Sequence, residues 1–299
     1  MAFRPSPFLC ERHMKLTAII NTHSGSVPDN GVELFRAEMD AHGWPCSVIS
    51  DAPDSLSESL ERCREEDCDA FVVWGGDGTV SSVMQALGPD GPPVLPLPGG
   101  TMNMLHQRVH GGIADWQTCL VEAVLRRRPE IIPAVRVNDK LVFIGAMIGR
   151  LTGLAKARET IRDGDLASLP ETLDLQDNLD LTSSIKLSYD GEDGPGRDSA
   201  TALGVFVTED KRKPEFGIDL VTSDPQNLSE LVSIGFQALT KRLSETPGVS
   251  VRAVQSGRAD FADTDSLPGT LDGEPVNFSG GLTFEYVPRA ARVLGAGLS

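Results

Sequence analysis

The sequence predicts an α/β protein in two parts, a first domain built on a parallel sheet and a second that is mostly antiparallel and β-rich. Three observations lead there. Short uncharged apolar runs alternate with amphipathic helical stretches from Leu16 to Arg128. Polar or glycine-rich loops directly follow three of those runs. Past Ile132-Pro133 the pattern changes to closely spaced strands with few helices. Strict alternation gives a Rossmann-like parallel sheet with helices on both faces, whereas consecutive strand patterns pair as antiparallel neighbours.

The first run, Leu16-Thr17-Ala18-Ile19-Ile20, reads as a buried strand that stops at the polar loop Asn21-Thr22-His23-Ser24-Gly25. A helical face (Val32, Leu34, Phe35, Met39), a strand (Cys46 to Ile49) and a second helix (Leu56, Leu60, Cys63) come next. The strand Ala70 to Trp74 breaks into Gly75-Gly76-Asp77-Gly78-Thr79, and a helical pattern resumes from Val80 to Leu87. Val94-Leu95-Pro96-Leu97 then leads into Pro98-Gly99-Gly100-Thr101-Met102-Asn103, and a helix from about Asp115 to Arg128, with its apolar stripe at Trp116, Leu120, Val124 and Leu125, ends at Pro129. Loops that follow parallel strands gather at the carboxyl edge of the sheet, where such folds bind ligands.

In the second part, Val135 to Val137, Asn138-Asp139 and Leu141 to Ile144 read as a hairpin. A helical stretch is expected from about Thr152 to Arg162 and another from Leu228 to Leu243. Strands are expected at Ile185 to Tyr189, Ala202 to Thr208, Ile218 to Val221, Val249 to Val254, Ala259 to Ala262 and Leu282 to Val287, with Asp190 to Gly194 as an exposed loop.

With 299 residues the chain is long enough for two domains with proper cores. Its formal charge of -16 and pI near 4.7 argue against nucleic acid as a partner, because phosphate backbones need a basic footprint. Local basic groups such as Arg126-Arg127-Arg128 and Lys211-Arg212-Lys213 read as solvated faces. The cysteines at 10, 46, 63, 68 and 119 are odd in number and include no C-x-x-C pair, which fits a reducing cytoplasm better than a disulfide framework or a zinc site. No signal peptide or membrane-spanning helix is read from the sequence.

The turn at Gly75 carries the chemistry. Glycines there are expected to let the backbone take positive φ and bring N–H groups to an anion, with the helix N-terminus behind them adding partial positive charge. Phosphate is the guest this suits. The turn is not a P-loop, since no Gly-Lys-Ser/Thr follows, and its spacing differs from the G-x-G-x-x-G fingerprint. Without a lysine, a nucleotide here depends on backbone donors and a metal. Asp77 is then either an oxygen ligand for Mg²⁺ on the phosphates or a helix N-cap.

Four segments in order, Asn21-Thr22-His23-Ser24-Gly25, Gly75-Gly76-Asp77-Gly78-Thr79, Pro98-Gly99-Gly100-Thr101-Met102-Asn103 and Leu271-Asp272-Gly273-Glu274, resemble the diacylglycerol kinase catalytic-domain family. That family takes in bacterial diacylglycerol kinases and sphingosine kinase-like lipid kinases, and is related to NAD kinases. The resemblance implies a nucleotide-binding α/β domain over 14–133 with 288–299 returning to it, a β-rich substrate domain over 134–287, and a nucleotide cleft between them. It implies ATP and Mg²⁺ as cofactors. Asn21, Ser24 and Gly25 would border the nucleotide, Gly75, Gly76, Asp77, Gly78 and Thr79 would cradle its phosphates, with Asp77 on the metal, and Thr101 and Asn103 would line the cleft. Asp272 or Glu274 would be the general base, although Asp-Gly is also a hairpin signal.

The chain departs from the family in places. Thr22 stands where proline is frequent. In Phe143-Ile144-Gly145-Ala146-Met147-Ile148-Gly149, Gly145 and Met147 replace the family's asparagine and small hydroxyl residue. Glu215-Phe216-Gly217-Ile218-Asp219 only approximates a segment that binds a structural magnesium, and no metal is assigned to it. The expected activity is transfer of the ATP γ-phosphate to a hydroxyl of a diacylglycerol- or sphingoid-like lipid. The alternatives are a kinase of a soluble hydroxylated metabolite and a catalytically inert nucleotide-binding regulator. Expected partners are a nucleotide and a lipid or other small hydroxylated acceptor. A cytoplasmic protein with transient peripheral contact at the inner face of the membrane fits that activity, and a homo-oligomer is compatible with it.

Overall fold

The computed structural model describes residues 14–50, 58, 60–61, 65, 67–113, 115–149, 184–208, 215–223 and 249–297. The chain divides into two units, one reaching to Glu130 and including Arg292–Ser299, the other spanning Ile131–Ala291. The helices expected near 152–162 and 228–243 and the basic run 211–213 lie outside the described residues. The helix expected around Leu56 and Leu60 is described only at 58, 60, 61 and 65, all helical.

The first unit contains strands β1 (Leu16–Ile20), β2 (Cys46–Ser50), β3 (Ala70–Gly75) and β4 (Val94–Pro98). Its described helices are α1 (Gly31–His42), α2 (Asp77–Leu87), α3 (Met104–His110) and α4 (Trp116–Arg126). The strands run parallel in the order β4-β3-β1-β2, and Val293 adds a parallel partner beside Val94. Every residue of β1 and β3 is buried, as a strand covered on both faces requires. The core joins Leu16, Ala18 and Ile20 to Val72, Trp74, Leu95 and Leu97, with Phe35 of α1 and Leu120 of α4 packed against them. In register, Ile20 lies beside Trp74 and Trp74 beside Leu97. The loops that follow β1, β3 and β4 therefore leave the sheet at one edge.

The second unit is antiparallel. Strands β5 (Pro129–Val137), β6 (Lys140–Val142), β7 (Gly145–Ile148), β8 (Ile185–Gly191), β9 (Gly194–Ala200), β10 (Ala202–Val207), β11 (Ile218–Ser223), β12 (Val249–Phe261), β13 (Ser266–Leu271), β14 (Glu274–Ser279) and β15 (Gly281–Leu294) succeed one another. The main run of pairing is β14-β13-β7-β10-β11-β12-β15. Ala146, Ile148, Leu203, Val205, Leu220, Leu267 and Phe284 turn one face of it into the core. Expectation and structure differ in several places: β13 and β14 are strands where none was expected, and Leu125 of the α4 stripe is exposed. Asp190 to Gly194 is no open loop: Glu192-Asp193 is a two-residue turn between β8 and β9, with Gly194 at φ +101. The two strands expected between Val249 and Ala262 are one long strand, β12. Phe143 and Ile144 lie outside the β5–β6 hairpin, in the link to β7. No helix among the described residues is long and apolar enough to cross a membrane.

Histidines tie α3 to the sheet. The Ala296 N–H donates to His110 Nδ1 at 3.0 Å, so His110 carries its proton on Nε2, which lies 2.8 Å from Pro96 O. His106, His110 and Cys119 present ligand atoms within 4.8 Å of one another, yet both His110 nitrogens are already committed to the backbone. Burial, followed by the neighbouring His106, pushes the His110 imidazole from 6.5 down to about 4, against a smaller opposite effect of the Pro96 carbonyl. A second proton would also set a donor against the Ala296 N–H. Because the folded value lies below the unfolded one, stability is full above about pH 6.5 and is lost as the pH falls towards 4. Urea unfolding of the wild type should lose about 2 kcal/mol more between pH 7 and pH 5 than that of His110→Gln, at 1.36 kcal/mol per unit of pKa difference. Equal losses in the two proteins would show that His110 is not the group responsible.

Candidate functional site in the loops after β1, β3 and β4

The three loops are bound to one another through backbone and short polar side chains. Asn21 Nδ2 donates to Thr79 Oγ1 at 3.1 Å, and the Gly76 N–H donates to Ser24 Oγ at 3.0 Å. The Ser26 N–H reaches Gly99 O at 3.0 Å while its hydroxyl donates to Gly100 O at 2.9 Å. Asn103 Oδ1 accepts from the N–H groups of Gly99 and Gly100 at 3.1 and 2.7 Å, and its Nδ2 returns a bond to Gly100 O. Asn103 itself sits in the left-handed region at φ 50, which its short polar side chain tolerates.

The glycines serve a different purpose from the one expected. Gly75, Gly76 and Gly78 have no positive φ, and Gly76, the N-cap of α2, is extended at φ -76 and ψ 171. Close approach instead requires the glycines of the facing loop, Gly99 and Gly100. A Cβ on Gly99 would sit 2.8 Å from Gly75 Cα, and one on Gly100 would sit 2.9 Å from Gly76 Cα. Two bare backbones are pressed together at the mouth of α2, whose first-turn N–H groups have no acceptor within the helix.

Asp77 is half-buried at the first position of α2, and so is not the N-cap of its own helix. Its carboxylate accepts from the N–H groups of Met104 at 3.2 Å and Leu105 at 2.9 Å, capping α3 from outside. It is the one acidic side chain in the two glycine loops, Gly75 to Thr79 and Pro98 to Asn103. A carboxylate is the kind of donor that a Mg²⁺ held mainly by phosphate oxygens and water takes from a protein. Of the remaining expected residues, Gly25 and Thr101 are exposed and lie against each other, with a Cβ on Gly25 at 3.6 Å from Thr101 Oγ1. His23 is exposed, whereas Trp74 and Trp116 pack at 4.5 Å between ring centroids.

In the second unit the two carboxylates of Asp272-Gly273-Glu274 have different surroundings. Asp272 and Gly273, at φ 47 and 83, form the two-residue turn between β13 and β14. Asp272 is 6% exposed. Its Oδ2 accepts from the Phe143 N–H at 2.9 Å, and its Oδ1 accepts from Ile144 at 2.7 Å and Gly145 at 3.1 Å. The Asp272 N–H donates to Gly145 O at 2.9 Å. Three donors hold this carboxylate ionised and oriented. Glu274, the first residue of β14, is solvent-exposed. The Phe143 to Gly145 amides were not among the expected site residues. In the sequence this segment stands out only through Gly145 and Met147, where it departs from the pattern it resembles.

Residues 15–136 match the family model described as the diacylglycerol kinase catalytic domain. The diacylglycerol kinase of Staphylococcus carnosus is 23% identical over 278 residues, covering 84% of this chain and 89% of that protein. That of Staphylococcus aureus strain RF122 is 22% identical over 272 residues, covering 84% and 83%. Among solved structures, a diacylglycerol kinase from Bacillus anthracis superposes with a TM-score of 0.62 at 14% identity, over 95% of this chain and 97% of that one. A second protein from Bacillus anthracis gives 0.66 at 16% identity, over 98% of both. The ordered motifs and the match over residues 15–136 make this chain similar to the diacylglycerol kinase catalytic domain, and it shares its two-part fold with the Bacillus anthracis structures.

Proposed function

We propose that the chain is an ATP- and Mg²⁺-dependent lipid kinase that transfers the γ-phosphate to a hydroxyl of a diacylglycerol-like lipid. The observation that carries this is the pair of glycine loops pressed together at the N-terminus of α2, a backbone-lined surface suited to phosphate and free of any lysine. Gly75, Gly76, Gly78 and Thr79 hold the phosphates through N–H groups, while Asn21 and Ser24 keep that loop in place through Thr79 and Gly76. Asp77 holds α3 against the loop and offers the one carboxylate for the metal. Mg²⁺, when bound, neutralises charge on the transferring phosphoryl group.

The acceptor oxygen attacks the γ-phosphorus, the bond to the β-phosphate oxygen breaks to release ADP, and the hydroxyl proton passes to a carboxylate. Glu274 takes that proton. Asp272 is unsuited to it, because three backbone N–H groups stabilise its ionised form. Asp272 is a positioning residue that ties the β13–β14 turn to the start of β7 and so sets where Glu274 emerges.

The direct test is transfer of ³²P from labelled ATP to dioleoylglycerol in mixed micelles, and no lipid-dependent turnover across a panel of hydroxylated lipids would overturn the proposal. Glu274→Gln should lower kcat by about 10²–10³-fold, the range for loss of a general base, and leave unfolding within about 0.5 kcal/mol of wild type. Asp272→Ala should act in the other order, lowering stability by about 3 kcal/mol because three buried donors lose their acceptor. If instead Asp272→Ala folds as well as wild type and is as inactive as Glu274→Gln, the division of roles is wrong. Asp77→Ala should cost about 1–2 kcal/mol of stability through loss of the α3 cap and weaken nucleotide binding about tenfold, read by calorimetry.

A further inference from the structure

The amino edge of the first unit's sheet, at the other end of the strands from the three loops, holds a cavity of about 570 Å³. That volume is in the range of small-molecule sites. The cavity opens between Asp69, just before β3, Asp90, just before β4, Arg127, just after α4, and Arg292, beside the point where Val293 joins Val94. The five residues of β4, at about 3.3 Å each, set it about 17 Å from the glycine loops. Backbone bonds fix its rim. The Asp69 N–H donates to Lys15 O and the Lys15 N–H returns to Asp69 Oδ2, both at 2.8 Å, while Pro93 O accepts from the Phe71 N–H at 2.9 Å.

Arg127 is the unexpected wall. Among the described residues, four non-glycines have positive φ. Asn103, Asn138 and Asp272 are short and polar, as that region tolerates, whereas Arg127, at φ 50, puts a long side chain where helices commonly end on glycine. Strain of this kind is a reason to ask what the side chain does. The run Arg126-Arg127-Arg128, expected as one solvated face, is divided: Arg127 lines this cavity, while Arg126 and Arg128 line a separate one of about 70 Å³ beside Gly297. Arg292, half-buried, brings a second guanidinium to the larger cavity. In a chain of net charge -16, two guanidiniums lining one cavity mark a place for an anion, and their planar forks suit phosphate. Asp69 and Asp90 line it too, and carboxylates there disfavour a bare anion but accept from hydroxyls.

We propose that this cavity is a second ligand site, separate from the glycine loops, for a phosphomonoester on a hydroxylated carbon frame, a sugar phosphate or a nucleoside monophosphate. Arg127 and Arg292 take the phosphate, and Asp69 and Asp90 accept from hydroxyls of the frame. Pro93 and Pro129, which also line the cavity, give it a stiff apolar wall for the face of a sugar or base. The site does not depend on the lipid-kinase function.

Calorimetric titration of the full chain with ribose 5-phosphate and with AMP tests this, each in saturating Mg²⁺ and a non-hydrolysable ATP analogue that fills any nucleotide site in the loops. Ribose 5-phosphate should still bind, and Arg292→Gln should weaken it about tenfold or more, the worth of one charged hydrogen-bonded contact. Arg127→Gly is the sharper variant, because glycine relieves the left-handed residue. It should melt no lower than wild type and yet lose about the same factor in affinity. Inorganic phosphate, which lacks the hydroxylated frame, should bind about tenfold more weakly than ribose 5-phosphate. AMP binding tighter than ribose 5-phosphate assigns the apolar wall to a base, and AMP binding no tighter assigns the site to sugar phosphates. Binding of neither compound, loss of binding under the analogue, inorganic phosphate binding as tightly, or unchanged affinity in both arginine variants overturns the site. None of these results bears on the lipid-kinase function, which is read separately by ³²P transfer.

Discussion

Backbone against backbone is the constraint on which the first unit's site depends. Gly99 and Gly100 come so near Gly75 and Gly76 that a methyl group on either of the later pair would overlap the earlier backbone. Everything around that contact follows from it. Ser24 and Ser26 can reach across because both are short, and Asn103 must turn into the left-handed region to offer one oxygen to two consecutive N–H groups. The polar atoms of these side chains are largely used in shaping the loops. What remains to meet an anion is main chain, at the end of a helix whose dipole favours negative charge. The missing lysine is thus less of a defect than it looks, since a surface made of N–H groups does not need one to orient phosphate.

Asp272 solves the matching problem in the second unit. A type of turn that forces two residues to positive φ would ordinarily be filled for geometry alone, and Asp-Gly is a common filler. Here the same aspartate collects three amides from a segment 127 to 129 residues away in sequence. The turn is therefore both a hairpin and a clamp, and the two readings of Asp272-Gly273-Glu274 are not rivals. One carboxylate holds the frame, and the next one outside it is placed by that frame. Such a division is physically economical, because a carboxylate that must stay ionised and one that must accept a proton need opposite environments.

Much of this was legible in the sequence because it is local. Uncharged runs followed by glycine loops are properties of consecutive residues, and they located β1, β3 and β4 with the loops that leave them. What escaped was long-range or conformational. Positive φ and close approach both demand glycine, so residue type alone could not say that close approach applies at Gly99 and Gly100 until their loop lay against Gly75 and Gly76. Asp77 offered a cap and a ligand as alternatives, but capping of a helix 27 residues further on is invisible to any local rule. The hairpin at Glu192-Asp193 was missed for the opposite reason: β9 begins Gly-Pro-Gly, a composition that argues against a strand, and the pairing of β9 with β8 overrides it.

The same limit explains why Gly145 read as a loss. Taken along the chain, a glycine where the resemblance leads one to expect asparagine is a polar group missing and nothing gained. Across the sheet it is one half of a pair whose other half sits 61 residues later, at Phe206. Neither member is tolerable alone: a side chain at 145 would overlap the ring, and without the ring Gly145 and Gly204 would leave bare backbone beside a buried carboxylate. The pair presents apolar surface on this face while the Gly145 amide still meets Asp272, so a glycine at 145 costs the carboxylate clamp nothing.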